Sequence, residues 1–119
     1  MQPDEPLNYS AITELADGDV AFLKEFIESM QTTLTDFDRD FRMHLLERNT
    51  EKLRAMVHNM KPTLEGFGMH SLTEHIRTAR ELAHAAHCDE RQLRSSADDV
   101  RRAIAELKGY LRVKADGLP

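Results

Sequence analysis

The sequence predicts an all-α fold, an antiparallel up-and-down four-helix bundle with an additional short N-terminal helix. Apolar residues recur every three or four positions through four long segments, which is the spacing of one helical face. Alternating runs of Val, Ile and Thr, which would indicate half-buried strands, are missing. Short connections between long amphipathic helices favour the up-and-down arrangement, because neighbours in sequence then pack side by side.

The 119 residues are few enough for one domain. Pro3 and Pro6 predict that residues 1–7 form a flexible tail. The bundle is predicted over 8–114, and residues 115–119 are expected to be frayed.

The short first helix is predicted to begin after Asn8, a favourable N-cap residue, and to end at Asp17-Gly18. Its inward residues are predicted to be Tyr9, Ile12 and Leu15. Asp19 is then placed to cap a long second helix. The apolar stripe of that helix has alternating spacings of three and four and consists of Val20, Leu23, Ile27, Met30, Leu34, Phe37, Phe41 and Leu45.

The next helix is predicted to begin after a cap at Asn49 or Thr50 and to end near residues 68–70, where two glycines weaken helix propensity. Pro62 lies inside it and predicts a bend, since proline lacks the N–H that would bond the carbonyl of His58. The core-facing arc of this helix is predicted to contain Leu53, Met56, Met60, Leu64 and Phe67.

Two capping boxes predict the starts of the last two helices, one formed by Ser71 with Glu74 and the other by Asp89 with Gln92. The inner residues of the first of these helices are predicted to be Leu72, Ile76, Ala79, Ala83 and Ala86. Those of the last helix are predicted to be Leu93, Ala97, Val100, Ile104, Leu107 and Leu111.

His58 points away from the apolar arc of its helix, so we expect its side chain to be exposed. Lys61 follows one turn later on the same side. A free imidazole has a pKa of about 6.5, so much of it is neutral and nucleophilic near pH 7. Phosphoryl transfer mainly requires in-line positioning and positive charge near the transferred oxygens, which the lysine is placed to supply.

These residues also form a longer pattern, H-x-x-K followed by fixed positions. It consists of His58, Lys61, Pro62, Thr63, Gly68 and Leu72. The pattern resembles the signature of the histidine-containing phosphotransfer (HPt) family, which also has an antiparallel four-helix bundle. The sequence departs from that pattern at Val57, where Ala is frequent, and at Pro62, where Gly is frequent.

The resemblance implies that His58 is the phosphoacceptor and that Lys61 stabilises the phosphoryl group. It implies a carrier between aspartates of response-regulator receiver domains, supplied by a hybrid or other histidine kinase upstream. No cofactor of its own is expected, since Mg²⁺ would come with the receiver. Arg80 stands where several family members place a Gln near the imidazole, and we predict that it favours the phosphorylated state electrostatically.

Composition excludes several other classes. A net charge of −5 argues against nucleic acid as a partner, because such domains are usually basic. No apolar segment is long enough to span a bilayer, and no basic start followed by an apolar run suggests a secretory signal. The single cysteine cannot form an intramolecular disulfide, which fits a reducing compartment, and the expectation is a cytoplasmic protein. The chain is also expected to be a monomer. No P-loop or kinase glycine loop indicates kinase or ATPase activity.

Two alternatives stay open. One is an HPt-like interaction module that keeps the fold and binds response regulators or other partners without transferring phosphate. A metal site is the other alternative, because Glu81 and His84 form an E-x-x-H pair near His87 and Cys88. No second E-x-x-H is present and the inner stripes are apolar, so no metal is expected.

Overall fold

The computed structural model describes residues 5–119, which contain five α-helices and no strand, so the predicted all-α class is confirmed. The helices are α1 (Tyr9–Ala16), α2 (Val20–Leu46), α3 (Thr50–Gly66), α4 (His70–His84) and α5 (Glu90–Asp116).

The core runs along the length of a molecule that measures 51 × 25 × 20 Å. The two longest helices, α2 and α5, pack against each other most extensively, and α4 also packs on α5. The smaller α3 contacts both α2 and α4. Every predicted inner residue of α5 is buried, and the predicted stripe of α2 is buried apart from the half-exposed Val20.

Three predicted caps are confirmed. The carboxylate of Asp19 accepts a hydrogen bond from the amide of Phe22 at 3.0 Å, and the side chain of Asn49 accepts one from Lys52 at 3.1 Å. Asp89 and Gln92 exchange two side-chain to backbone bonds of 2.9 Å each, a complete capping box. Each cap satisfies amides that the first turn of a helix otherwise leaves without a partner.

The predicted capping box of Ser71 with Glu74 is wrong. Helix α4 begins two residues earlier, with Met69 rather than Ser71 as its N-cap residue and with no side-chain cap. Met69 is fully buried, and its carbonyl accepts bonds from both the amide and the hydroxyl of Thr73. Glu74 pairs with Arg77 instead. Burial of Met69 therefore sets the start of α4.

Two predicted inward residues are exposed. Leu15 is 56% exposed, and Ala16 takes its place in the core together with Ile12. Ala86 lies beyond the end of α4 and is exposed.

The segment predicted as an N-terminal tail lies partly outside the described residues, which begin at residue 5. Leu7, within that segment, is fully buried in the core. The amide of Asn8 donates a 2.7 Å hydrogen bond to the carbonyl of Phe67, in the connection between α3 and α4. At the other end, α5 continues to Asp116, and Lys24 Nζ donates to the carbonyl of Pro119 at 2.6 Å.

An aromatic cluster joins the start of α1 to α5. The rings of Tyr9 and Tyr110 meet edge to face at 6.2 Å, and Lys114 Nζ lies 5.0 and 5.3 Å from their centroids. Burial raises the pKa of both phenols, although Lys114 partly offsets this for Tyr9. The hydroxyl of Tyr110 is buried without a hydrogen-bond partner among the described residues.

Ion pairs cover the outer surface between α2 and α5. Arg42 pairs with Asp98 at 2.9 Å, and Arg101 with Asp38 at 3.0 Å. The guanidinium of Arg42 holds the pKa of the Asp98 carboxyl below its usual range. Over the described length of the chain, none of the helices combines the length and apolar character needed to cross a membrane.

Candidate functional site

Helix α3 presents His58 on the side opposite its packed face. Leu53, Met60 and Leu64 are buried, whereas the side chain of His58 is exposed. The two other residues of the predicted arc, Met56 and Phe67, are half-buried. The structure therefore places the imidazole on the solvent-exposed face of α3.

A small recess lies beside the imidazole and is lined by Arg54, Ala55 and His58. Arg54 precedes His58 by one turn on the same face of α3, and its side chain is exposed. Ala55 is small and leaves the recess open. The sequence reasoning missed Arg54, although its spacing of four residues from His58 was a signal that could have found it.

Lys61 lies one turn after His58 and is also exposed. Its Nζ is 3.9 Å from Oε1 of Glu65, and the two side chains are 63% and 66% exposed. Such a loose pair in contact with water is worth little, so it does not prevent Lys61 from approaching an anion on His58. The structure keeps Lys61 available but does not hold it against the imidazole.

Pro62 lies within α3, which is assigned as a continuous α-helix from Thr50 to Gly66. Since proline has no N–H, the carbonyl of His58 receives no helical hydrogen bond from it. Thr63, the next residue of the signature, is half-buried, whereas Pro62 is exposed. The exposed pyrrolidine ring lies one turn after His58, on the opposite flank from Lys61.

The two glycines at the end of α3 have different surroundings. A Cβ at Gly66 would meet no atom within 4 Å, whereas one at Gly68 would lie 3.6 Å from Cβ of Asn8. Gly68 also has φ +62°, which favours glycine. Gly68 therefore accommodates the chain leading into α1.

Arg80 is half-buried on α4. Its Nε is buried and makes no hydrogen bond within the described residues. It does not line the recess of Arg54, Ala55 and His58. Its predicted electrostatic role toward a phosphorylated His58 stays a prediction.

The histidines near the end of α4 form no metal centre with their neighbours. Within residues 5–119, no three His, Cys, Asp or Glu side chains are grouped so that they could hold a metal ion. Cys88 is buried, and Arg48 donates hydrogen bonds to the carbonyls of Ala85 and Cys88. This connection between α4 and α5 is thus secured by an arginine from the connection between α2 and α3.

Comparisons with known proteins assign no family to the chain. A scan against protein-family models and searches of curated proteins and of solved structures found no match. Function therefore has to be inferred from the residues of the site.

Proposed function

We propose that this chain is a histidine phosphotransfer protein that carries a phosphoryl group on His58 between aspartates of receiver domains. A hybrid or other histidine kinase upstream would supply the phosphoryl groups to this relay. The observation that carries the proposal is the exposed imidazole on α3 with Lys61 one turn away and only a weak pair holding that lysine. Exposure is essential, because both the donor and the acceptor are other proteins.

The reaction balances without a further reactant. A ring nitrogen of neutral His58 attacks the phosphorus of an aspartyl phosphate, an N–P bond forms, and the bond from phosphorus to the aspartate oxygen breaks. The aspartate leaves as a carboxylate, and the ring proton is released to water. Transfer to the next receiver reverses these steps.

The positive charge of Lys61 offsets the negative charge on the phosphoryl oxygens during each transfer. Mg²⁺ belongs to the receiver in this proposal. The encounter would take place in the cytoplasm, where a lone reduced cysteine such as Cys88 is ordinary.

The fold in this proposal is an antiparallel four-helix bundle of α2 to α5 with α1 as a cover. Each of these helices packs on two neighbours in the order α2, α3, α4 and α5, and α5 packs on α2 to complete the ring. The connections contain only three residues between α2 and α3, three between α3 and α4, and five between α4 and α5. Such short connections favour antiparallel neighbours.

Transfer from a chemically phosphorylated receiver domain would test the function. The native chain is expected to acquire an acid-labile, base-stable phosphoryl label, and His58→Gln is expected to lose it. His87→Gln is the matched control, because it removes another exposed histidine in the connection after α4 and should be labelled normally.

Failure of the native chain to acquire label from a panel of receivers would overturn the carrier function. If the same receivers still bound, the result would favour the interaction module that does not transfer phosphate.

A further inference from the structure

The exposed face of α3 has two unlike flanks around His58. At 3.6 residues per turn, Arg54 and Lys61 both fall on one flank, about 40° and 60° from the histidine. Ala55 and Pro62 fall at similar angles on the other flank. One flank is therefore cationic, and the other carries an alanine and a proline.

The two cations bracket the histidine along the helix axis. Arg54 is one turn before His58 and Lys61 is just under one turn after it, so their Cα atoms are separated by about 10 Å along the axis. Helical side chains lean toward the N-terminus of their helix. The imidazole of His58 accordingly leans toward Arg54, which agrees with the recess that these two residues share with Ala55.

Arg54 is also the freer of the two cations. Lys61 has Glu65 at 3.9 Å, whereas none of the ion pairs found within residues 5–119 involves Arg54. A guanidinium presents a planar fork of N–H donors that matches two oxygens of a phosphoryl group. The guanidinium therefore stands next to the nucleophile and forms no ion pair within the described residues.

We propose that Arg54 is a second phosphoryl-binding residue, which donates hydrogen bonds from its guanidinium to the phosphoryl group on His58. Lys61 approaches the same group from the following turn, so the phosphoryl group is held on the cationic flank. The receiver then reaches the phosphorus past Ala55 and Pro62, where the side chains are short. This inference rests on the proposed carrier function for its biological setting, but it concerns only the chemistry of this chain.

The test uses potassium phosphoramidate, so no receiver is needed. A ring nitrogen of the histidine attacks phosphorus, the P–N bond of phosphoramidate breaks, and ammonia leaves. The signal of phosphorylated His58 is assigned by ³¹P NMR as the one that His58→Gln lacks. Its decay is then followed after the reagent has been removed.

We expect Arg54→Ala to shorten the lifetime of phosphorylated His58 by about tenfold, because the substitution removes one charge-assisted hydrogen bond to the phosphoryl group. Arg54→Lys should restore part of that lifetime, because it returns the charge without the fork. Arg112→Ala is the matched control, since it removes an exposed arginine from α5, and it should leave the lifetime unchanged.

An unchanged lifetime in Arg54→Ala, or no phosphohistidine at His58 in the native chain, would overturn the role of Arg54. The expected lifetimes together with failed transfer to and from every receiver would uphold Arg54 as a phosphoryl ligand and reject the carrier function. The two proposals can therefore fail separately.

Discussion

The amide of Asn8 donates a 2.7 Å hydrogen bond to the carbonyl of Phe67. Gly68, which follows Phe67, lies directly beside Asn8. The contact joins the start of α1 to the connection between α3 and α4. It lies at the end of the helix that presents His58, so it helps to fix where that helix stops.

We expect Gly68→Ala to lower the free energy of unfolding by about 1–2 kcal/mol, because alanine must adopt a left-handed conformation there. The space itself is not the obstacle, since the nearest atom would be at an ordinary contact distance of 3.6 Å. Gly66→Ala is the matched control. Its site is open and helical, so stability should rise by up to about 1 kcal/mol. Equal effects of the two substitutions in urea denaturation would contradict this explanation.

Leu7→Ala should destabilise the protein by about 2–5 kcal/mol, since it removes a fully buried side chain from the core. Leu15→Ala should cost about 0.5 kcal/mol or less, because Leu15 is mostly exposed. Thermal and urea unfolding of the two variants provide the comparison. A negligible cost at Leu7 would mean that this segment is a free tail after all.

Asp89→Ala should cost about 1 kcal/mol of stability through loss of the cap of α5. Ser71→Ala should change stability by no more than about 0.5 kcal/mol, because Ser71 is exposed and caps no helix. Chemical denaturation would measure both. If Ser71→Ala proved as costly as Asp89→Ala, the start assigned to α4 would need to move.

Stability should decrease in alkali partly through Tyr110. Burial raises the pKa of its phenol, with a smaller contribution from the Glu5 carboxylate, so the folded state keeps this proton to a higher pH than the unfolded chain. The resulting contribution to stability is fully present below about pH 10, the ordinary phenol value, and is lost as pH rises through the folded-state value.

Tyr110→Phe should reduce this alkaline loss and be nearly neutral at lower pH, since the hydroxyl it removes is buried without a partner among the described residues. Unfolding free energies of native and variant proteins at about pH 8 and about pH 11 would show the difference. Parallel decreases in both proteins would remove Tyr110 from the explanation.

Arg80→Gln should shorten the lifetime of phosphorylated His58 by about two- to fivefold, as expected for a modest, solvent-screened charge interaction. The phosphoramidate experiment supplies the measurement. Unchanged lifetime and unchanged transfer rates would leave Arg80 with a purely structural place on α4.

The spacing of apolar residues correctly predicted most of the buried side chains wherever a helix has a long apolar stripe. The inner residues of α5 and the exposed position of His58 both followed from spacing alone, because a helix fixes which residues share a face. The cap of α5 was also predictable, since Asp89 and Gln92 act within one turn. In each case the interaction that decides the structure is local.

Long-range packing explains the failures. Burial of Met69 moved the start of α4 away from Ser71, and the contact of Asn8 with Phe67 drew Leu7 into the core despite the nearby prolines. Neither contact can be inferred from residues close in sequence. Arg54 differs from these, because it lies one turn before His58 and so falls outside the signature, which begins at His58.

Helix α3 has one set of residues that packs in the core and a separate set that is exposed to solvent. Leu53, Met60 and Leu64 hold it in the core, while Arg54, His58 and Lys61 are exposed and make no core contact. Substitutions on the outer set therefore need not weaken folding. After a gene duplication, the exposed set can therefore change in either copy while each copy inherits the same stable scaffold.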